Sequence, residues 1–479
     1  MNTHADAAAS PRSGYFAATV LAPAVVLGFA AAVATWVVWF LTHTPALRLP
    51  PAVAGPVLLL VQAGVIAWLG RGVPGAGRWR VGVLAGLIAA GINLLILGSK
   101  IVQPAVDAAG QPAPQPGLGG LVPGAGMIIV GFMVASAAVG LIGAVVAGFL
   151  AKGPGETQPA SYWLGRFSVV ACIAIVPLLT LGGLVTSTAS GLAVPDWPGT
   201  YGANMFLYPI GLMAEPRIYF EHTHRLFGTL VGLTTLTLLV FTLVVDRRRW
   251  AKIVAFVLFL AVALQGWMGG ARVYEQSQML AVLHGVFAQL FFAGTVAFAA
   301  ALSPGFARAD TPALTGRGRG LGLWLLASLA VQLLMGALYR HLGSTHPLWT
   351  HVGFSLVVVT LAVLSGSWWI GAARANAGDP LLARLRRLGA GLHASVGIQF
   401  LLGWVALLAV LTNGSASRGI PKADQLATAQ AVPVWEATVR TAHQANGALL
   451  LALATLACVW AWRLVGPRTN EQKLPASVQ

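Results

Sequence analysis

Twelve runs of mainly apolar residues, each about as long as a bilayer is thick, punctuate this chain and leave little room for any other architecture. A helix needs about 20 such residues to cross the hydrocarbon layer. Runs of that kind lie near residues 15–41, 52–70, 80–98, 122–151, 163–190, 219–245, 251–271, 277–302, 320–340, 347–371, 388–412 and 435–464. Lipid offers backbone N–H and C=O groups no partner, so runs of this length are helices. The fold expected is all-α, a polytopic membrane bundle of about twelve transmembrane helices. Only 9% of residues are charged, against about 25% in a soluble domain. The formal charge of +16 does not signal nucleic acid, because Arg and Lys stand in short gaps and never interleave with aromatics on a polar face. No nucleic-acid partner is expected, and membrane lipid is.

The gaps carry the orientation. Arg71, Arg78 and Arg80, then Lys152 and Arg166, then Arg247, Arg248, Arg249 and Lys252, then Arg308, Arg317 and Arg319, then Arg374, Arg384, Arg386 and Arg387 all follow even-numbered spans. The positive-inside rule puts those loops and both termini in the cytoplasm. The long loops at 191–218 and 413–434 then face outward, and the expected location is the cell inner (cytoplasmic) membrane, multi-pass. The first apolar run, from Tyr15, is too long for a signal-peptide core and has just Arg12 close in front of it, so it reads as a retained helix. Cys172 and Cys458 both fall inside apolar runs, which excludes a disulfide framework and a cysteine-based zinc site.

The expected organisation is an N-terminal membrane region of about four helices at 1–151, a linker KGPGETQPAS at 152–161, two four-helix halves at 162–310 and 311–468, and a cytoplasmic tail at 469–479. The last eight spans read as a duplication, which directs attention to sites built by each half. Span six opens EHTHRLFGTLVGLTTL and span ten LWTHVGFSLVVVTL, aligning His224 with His351. Gln265 and Gly269 of span seven match Gln399 and Gly403 of span eleven, and His284 of span eight matches His443 of span twelve. Glycine at such positions lets helix backbones approach, and glutamine can bond across the contact.

His224, His284, His351 and His443 all fall near the start of a span that begins on the outer side, and so at similar depth. Two histidines on neighbouring helices can reach one iron from opposite faces, as when a haem is held by two axial imidazoles. Each half then offers one bis-histidine site, with all four histidines as metal ligands. A lone histidine at a helix head is more often an interfacial side chain reaching for water; four in a duplicated frame are harder to explain that way, because an unpartnered buried imidazole costs a few kcal/mol. His4, His43, His341, His346 and His393 lack that register and read as solvated or structural. On a helix, Glu221, His224 and Arg225 share a face while His222 points away. Glu221 and Arg225 make an i, i+4 pair that favours a helix start. Beside a macrocycle in a low-dielectric site, Glu221 can also serve as acid, base or stabiliser of positive charge, and Arg225 can meet haem propionates.

Glu221, His224 and Arg225 as E-x-x-H-R, with GGLVTSTASGLAVPDWP at 182–198, LQGWMGGARV at 264–273 and HGVFAQLFF at 284–292, resemble the haem A synthase family over roughly residues 160–465. The resemblance implies an eight-helix pseudo-duplicated core that converts haem O to haem A by oxidising a ring methyl to a formyl group. It also implies that one half binds the haem substrate and the other a haem b cofactor, with a catalytic role for Glu221. Many relatives carry a cysteine pair in the outer loop after the first core helix; residues 191–218 contain none, so a thiol step is excluded. His351 has no Glu or Arg beside it, which points to a non-reacting haem in the second half. Expected partners are an electron acceptor not named by the sequence, haem O synthase and cytochrome oxidase assembly factors. Two other classes remain open: a di-haem b-type electron-transfer subunit and a polytopic haem transporter. The four leading spans carry no motif and read as a fused partner, an assembly surface or a scaffold.

Overall fold

The computed structural model describes residues 17–104, 118–308, 314–375, 381–412 and 432–466. The outer loop expected at 413–434 lies outside the described residues as far as residue 431, as do His4 and the tail at 469–479. Among the described residues, twelve helices are long and apolar enough to cross a membrane. They are α1 (Ala22–His43), α2 (Pro51–Gly70), α3 (Arg78–Leu97), α4 (Ala125–Leu150), α5 (Ala160–Ser187), α6 (Pro216–Val245), α7 (Arg249–Glu275), α8 (Gln278–Leu302), α9 (Gly318–Leu342), α10 (Thr345–Ala375), α11 (Leu382–Thr412) and α12 (Val434–Leu464). Each corresponds to one apolar run. Their ends follow local chemistry. The Glu215 carboxylate accepts the Ile218 N–H to cap α6, with Pro216 supplying a preset φ at the first position. Gly343, in the left-handed region at φ 70°, closes α9.

The chain packs as two compact units that divide between Gln276 and Ser277. In the first, α3 and α4 pack closely through small residues. A Cβ at Gly86 would lie 2.2 Å from the Ser136 carbonyl oxygen, and one at Gly140 equally near that of Gly82. Such small-residue contacts are how helices associate where lipid removes the hydrophobic drive. Buried polar groups are paired: Trp36 Nε1 donates to Asn93 Oδ1 (3.1 Å) and Gln62 Nε2 to the Ser136 carbonyl (3.2 Å). Helix α1 also packs on the helices that follow the linker. Phe29 meets Phe167 of α5 edge-on at 5.1 Å, Trp36 meets Phe227 of α6 at 5.6 Å, and the Tyr219 hydroxyl donates to the Phe40 carbonyl (2.7 Å). Helix α1 thus packs on α5 and α6, across the linker at 152–161.

In the second unit α9, α10, α11 and α12 form a closed ring of four neighbours around a core that includes Trp369 and Trp460. Helix α8 packs on α9 and α12. The division expected at residue 310 thus differs from the packing, which groups α8 with the helices after it. Apolar periodicity marks a span but not its neighbour, since lipid and protein are equally apolar surroundings.

Candidate functional site

Helix α6 carries Glu221, His222, His224 and Arg225 within its first three turns. Glu221 is 4% exposed and both its oxygens are engaged: Oε1 accepts from Arg225 Nη2 (2.8 Å) and Oε2 from the Val194 N–H (3.0 Å). Arg225 also donates through Nη2 to the Val194 carbonyl (2.9 Å) and through Nη1 to those of Gly199 (3.0 Å) and Asp196. Its terminal N–H groups are thereby spent on the loop after α5, so meeting a propionate requires giving one up. The loop is fixed from other sides too. Asp196 accepts the N–H groups of Tyr201 and Gly202, Arg272 of α7 donates to the Gly191 carbonyl (3.1 Å), and the Tyr274 hydroxyl donates to that of Trp197. His222 is fully buried, with Nδ1 3.0 Å from Thr200 Oγ1 and its ring against Tyr208. It points away from His224's side of the helix, as helical periodicity requires, and helps seat the loop. Burial pushes the Tyr208 phenol up to about 12, with the nearby Tyr201 and Asp196 adding to the shift.

The histidines of the aligned pattern are the ninth residue of α6, the seventh of α8, the seventh of α10 and the tenth of α12. His224 belongs to the first unit and His284 to the second. One construction recurs for three of them, with the imidazole Cε1 resting on a glycine of the preceding long helix. A Cβ would lie 3.1 Å from His224 at Gly182, 2.9 Å from His351 at Gly336 and 3.2 Å from His443 at Gly403. Gly403, expected to admit a helix backbone, instead makes room for a ring. Gly182, which opens the quoted stretch at 182–198, and Gly336 were given no role from sequence, where a glycine near a helix end carries no sign of what rests on it.

His351 and His443 come together inside the second unit, with ring centroids 6.2 Å apart and planes at 76°. A metal–imidazole bond is about 2.0–2.1 Å, so one metal atom between two rings separates their centroids by roughly 6.3 Å. His351 Nδ1 lies 2.9 Å from the Gln332 carbonyl, which can only accept, while Gln332 Nε2 donates to the His351 carbonyl (2.9 Å). The neutral ring therefore carries its proton on Nδ1 and keeps the Nε2 lone pair, the arrangement that orients a ligating histidine. On His443, Gln399 Nε2 sits 3.2 Å from Nδ1 and 3.4 Å from Nε2, and Gln399 Oε1 accepts from Asn446 (2.9 Å). Glutamine thus reaches across the helix contact to the ring. His351 fits a metal ligand as it stands, whereas on His443 the Gln399 amide must give up its N–H contact before Nε2 can bind a metal.

Two further groups near this pair escaped sequence reading. Glu436 is fully buried and ion-paired to Arg440 four residues on, one turn before His443. The spacing is that of Glu221 and Arg225, visible in WEATVR, but it lies beside His443 rather than beside His351. Among the other histidines, His341 is buried, His43 stacks on Trp39, His393 Nε2 lies 3.1 Å from the Val363 carbonyl, and His346 is exposed.

Residues 165–350 match the family model COX15-CtaA, described as cytochrome oxidase assembly protein. Through this stretch the chain is similar to haem A synthases. A heme A synthase of Exiguobacterium sibiricum is 32% identical over 189 residues, 38% of this chain and 61% of the relative. One from Beijerinckia indica is 28% identical over 247 residues, 44% of this chain and 67% of its own. Another, from Shouchella clausii, is 29% identical over 136 residues, 28% of this chain and 44% of its own. The first of these alignments therefore spans under two thirds of that haem A synthase. The family match includes Glu221, His224, Arg225 and His284 and ends at Thr350, one residue before His351. No solved structure matches the chain.

Proposed function

We propose that this chain is a haem A synthase-like membrane oxidoreductase that takes haem O as substrate and oxidises a ring methyl to a formyl group, giving haem A. The observation that carries this reading is Glu221, a buried carboxylate fixed by Arg225 and the Val194 N–H on the helix that bears His224. Converting a methyl to a formyl group removes four electrons and four protons, with water supplying the oxygen and the outside acceptor taking the electrons, and it develops positive charge at the carbon. A fixed carboxylate in a low-dielectric site stabilises that charge and accepts a proton at an oxygen. Arg225 is a positioning residue: it ties Glu221 to the loop and holds the loop closed. In this reading His224 holds the substrate iron, and His351 and His443 hold a resident haem b. Haem b, when bound, supplies a one-electron redox centre. His351 offers it Nε2, oriented by Gln332, and the surrounding ring of helices keeps water from it. The protein works in the cell inner membrane, passing electrons to an acceptor outside this chain, with haem O synthase as the source of substrate.

The test is pigment extraction from cells supplied with haem O. The unaltered chain yields formyl-bearing haem. Glu221→Ala protein retains bound haem and yields none, and undiminished haem A from that variant refutes the catalytic assignment. A di-haem electron-transfer subunit is the second reading, favoured by the His351–His443 pair because that pair needs no substrate. Extracted pigment consisting of haem b alone would support it.

A further inference from the structure

The second unit holds a buried charge cluster that the proposed reaction leaves unused. Arg440 is 9% exposed at its side chain; its Nη2 faces Glu436, and its Nη1 is buried with no hydrogen-bond partner among the described residues. Arg340, near the end of α9, lies within electrostatic reach of both Arg440 and Glu436. Arg440 Nη1 is thus a buried cationic donor with no acceptor among the described residues. Such a group calls for an anion, because removing it from water is costly without one. Arg225 in the first unit has no such vacancy, since backbone carbonyls take its terminal N–H groups.

The cluster's position says which anion. Glu436, Arg440 and His443 are four and three residues apart and share one face of α12. On α9, Arg340 stands four residues, one turn, beyond Gly336, on which His351 rests. Helices α9 and α12 are neighbours. Arg440 therefore stands one turn along its helix from His443, and Arg340 one turn from the glycine under His351. A ligand whose metal lies between the rings and whose acid groups lie at its edge meets both.

We propose that Arg440, with Arg340, clamps a carboxylate of the tetrapyrrole held between His351 and His443, with Arg440 Nη1 donating to it. Charge-assisted bonds to a carboxylate are the strong ones, and the guanidinium fork suits that shape. The inference rests on reading His351 and His443 as a haem site and adds the groups that fix the macrocycle's rotation between them.

The experiment titrates haem-free, full-length protein carrying His224→Ala, so that uptake reports on the second pair. The probes are ferric protoporphyrin IX and its dimethyl ester, read by the low-spin absorption spectrum. The parent should prefer the free acid by about tenfold or more. Arg440→Gln and Arg340→Gln should each remove most of that preference by weakening acid binding while leaving ester binding unchanged, and Arg440→Lys should restore part of it. Equal affinity for acid and ester in the parent, or a preference that survives both Gln substitutions, overturns the clamp; a lipid phosphate on these arginines would give that second result. Should Arg440→Gln protein not fold, the parent's ratio and the Arg340→Gln protein still decide. Equal uptake of both porphyrins with a bis-imidazole spectrum sinks the clamp alone, whereas uptake of neither sinks the haem site with it.

Discussion

Glu221 with Arg225 on α6 and Glu436 with Arg440 on α12 share a four-residue spacing, deep burial and a histidine within one turn. They differ in what completes the arginine. Around Arg225 a folded loop brings three backbone carbonyls, so the guanidinium becomes a clasp between that loop and the Glu221 carboxylate. Around Arg440 no described backbone group meets Nη1, and a second arginine stands by in place of a second acceptor. The same short motif can thus finish a lid or await a ligand. Partners from elsewhere in the chain decide which.

The largest effect that would break this comparison is at the second pair. His351→Ala or His443→Ala should abolish the bis-imidazole absorption of the resident haem in purified protein, and an unchanged spectrum would remove the haem site. Next comes Arg225→Gln, which leaves Glu221 buried without its ion partner. It should cost roughly 3–5 kcal/mol and lower the midpoint of thermal unfolding, whereas a change under about 1 kcal/mol would mean that the loop does not depend on the clasp. Gly336→Ala should cost about 1–3 kcal/mol by pressing a methyl group on His351, and more than Gly403→Ala, whose clearance is 3.2 Å instead of 2.9 Å. The two unfolding midpoints check the order. The smallest effect is at Tyr208. Its phenol is raised from 10.0 to about 12 in the folded loop, so the associated stability is complete below pH 10 and is lost as pH rises toward 12. Tyrosinate absorbance, compared with Tyr208→Phe protein, should show its ionisation only in that upper window; ionisation at pH 10 would mean an open loop.

The spans and the aligned histidines were legible because both are properties of single positions in a row: length sets the former, and register at a helix head sets the latter. Gln399 and Gly403 were readable for the same reason, although Gly403 proves to accommodate His443 itself. What lay beyond the sequence was pairing. Nothing in residues 152–161 or around residue 310 tells α1 to pack on α5 and α6, or α8 to pack on α9 and α12, because apolar faces in lipid carry no address. Glu436 and Arg440 stood in plain view in WEATVR. Their meaning needed Arg340, nearly a hundred residues earlier, and only the fold brings the three together.

One iron gripped between His351 and His443, with the ring planes as the fold sets them at 76°, is the centre of the proposed second site. Electron paramagnetic resonance of the ferric protein, purified from cells lacking haem O, tests this directly. Near-perpendicular axial rings should give a highly anisotropic low-spin signal that disappears in the His443→Ala variant. A high-spin signal, or a low-spin one that persists in that variant, would contradict it.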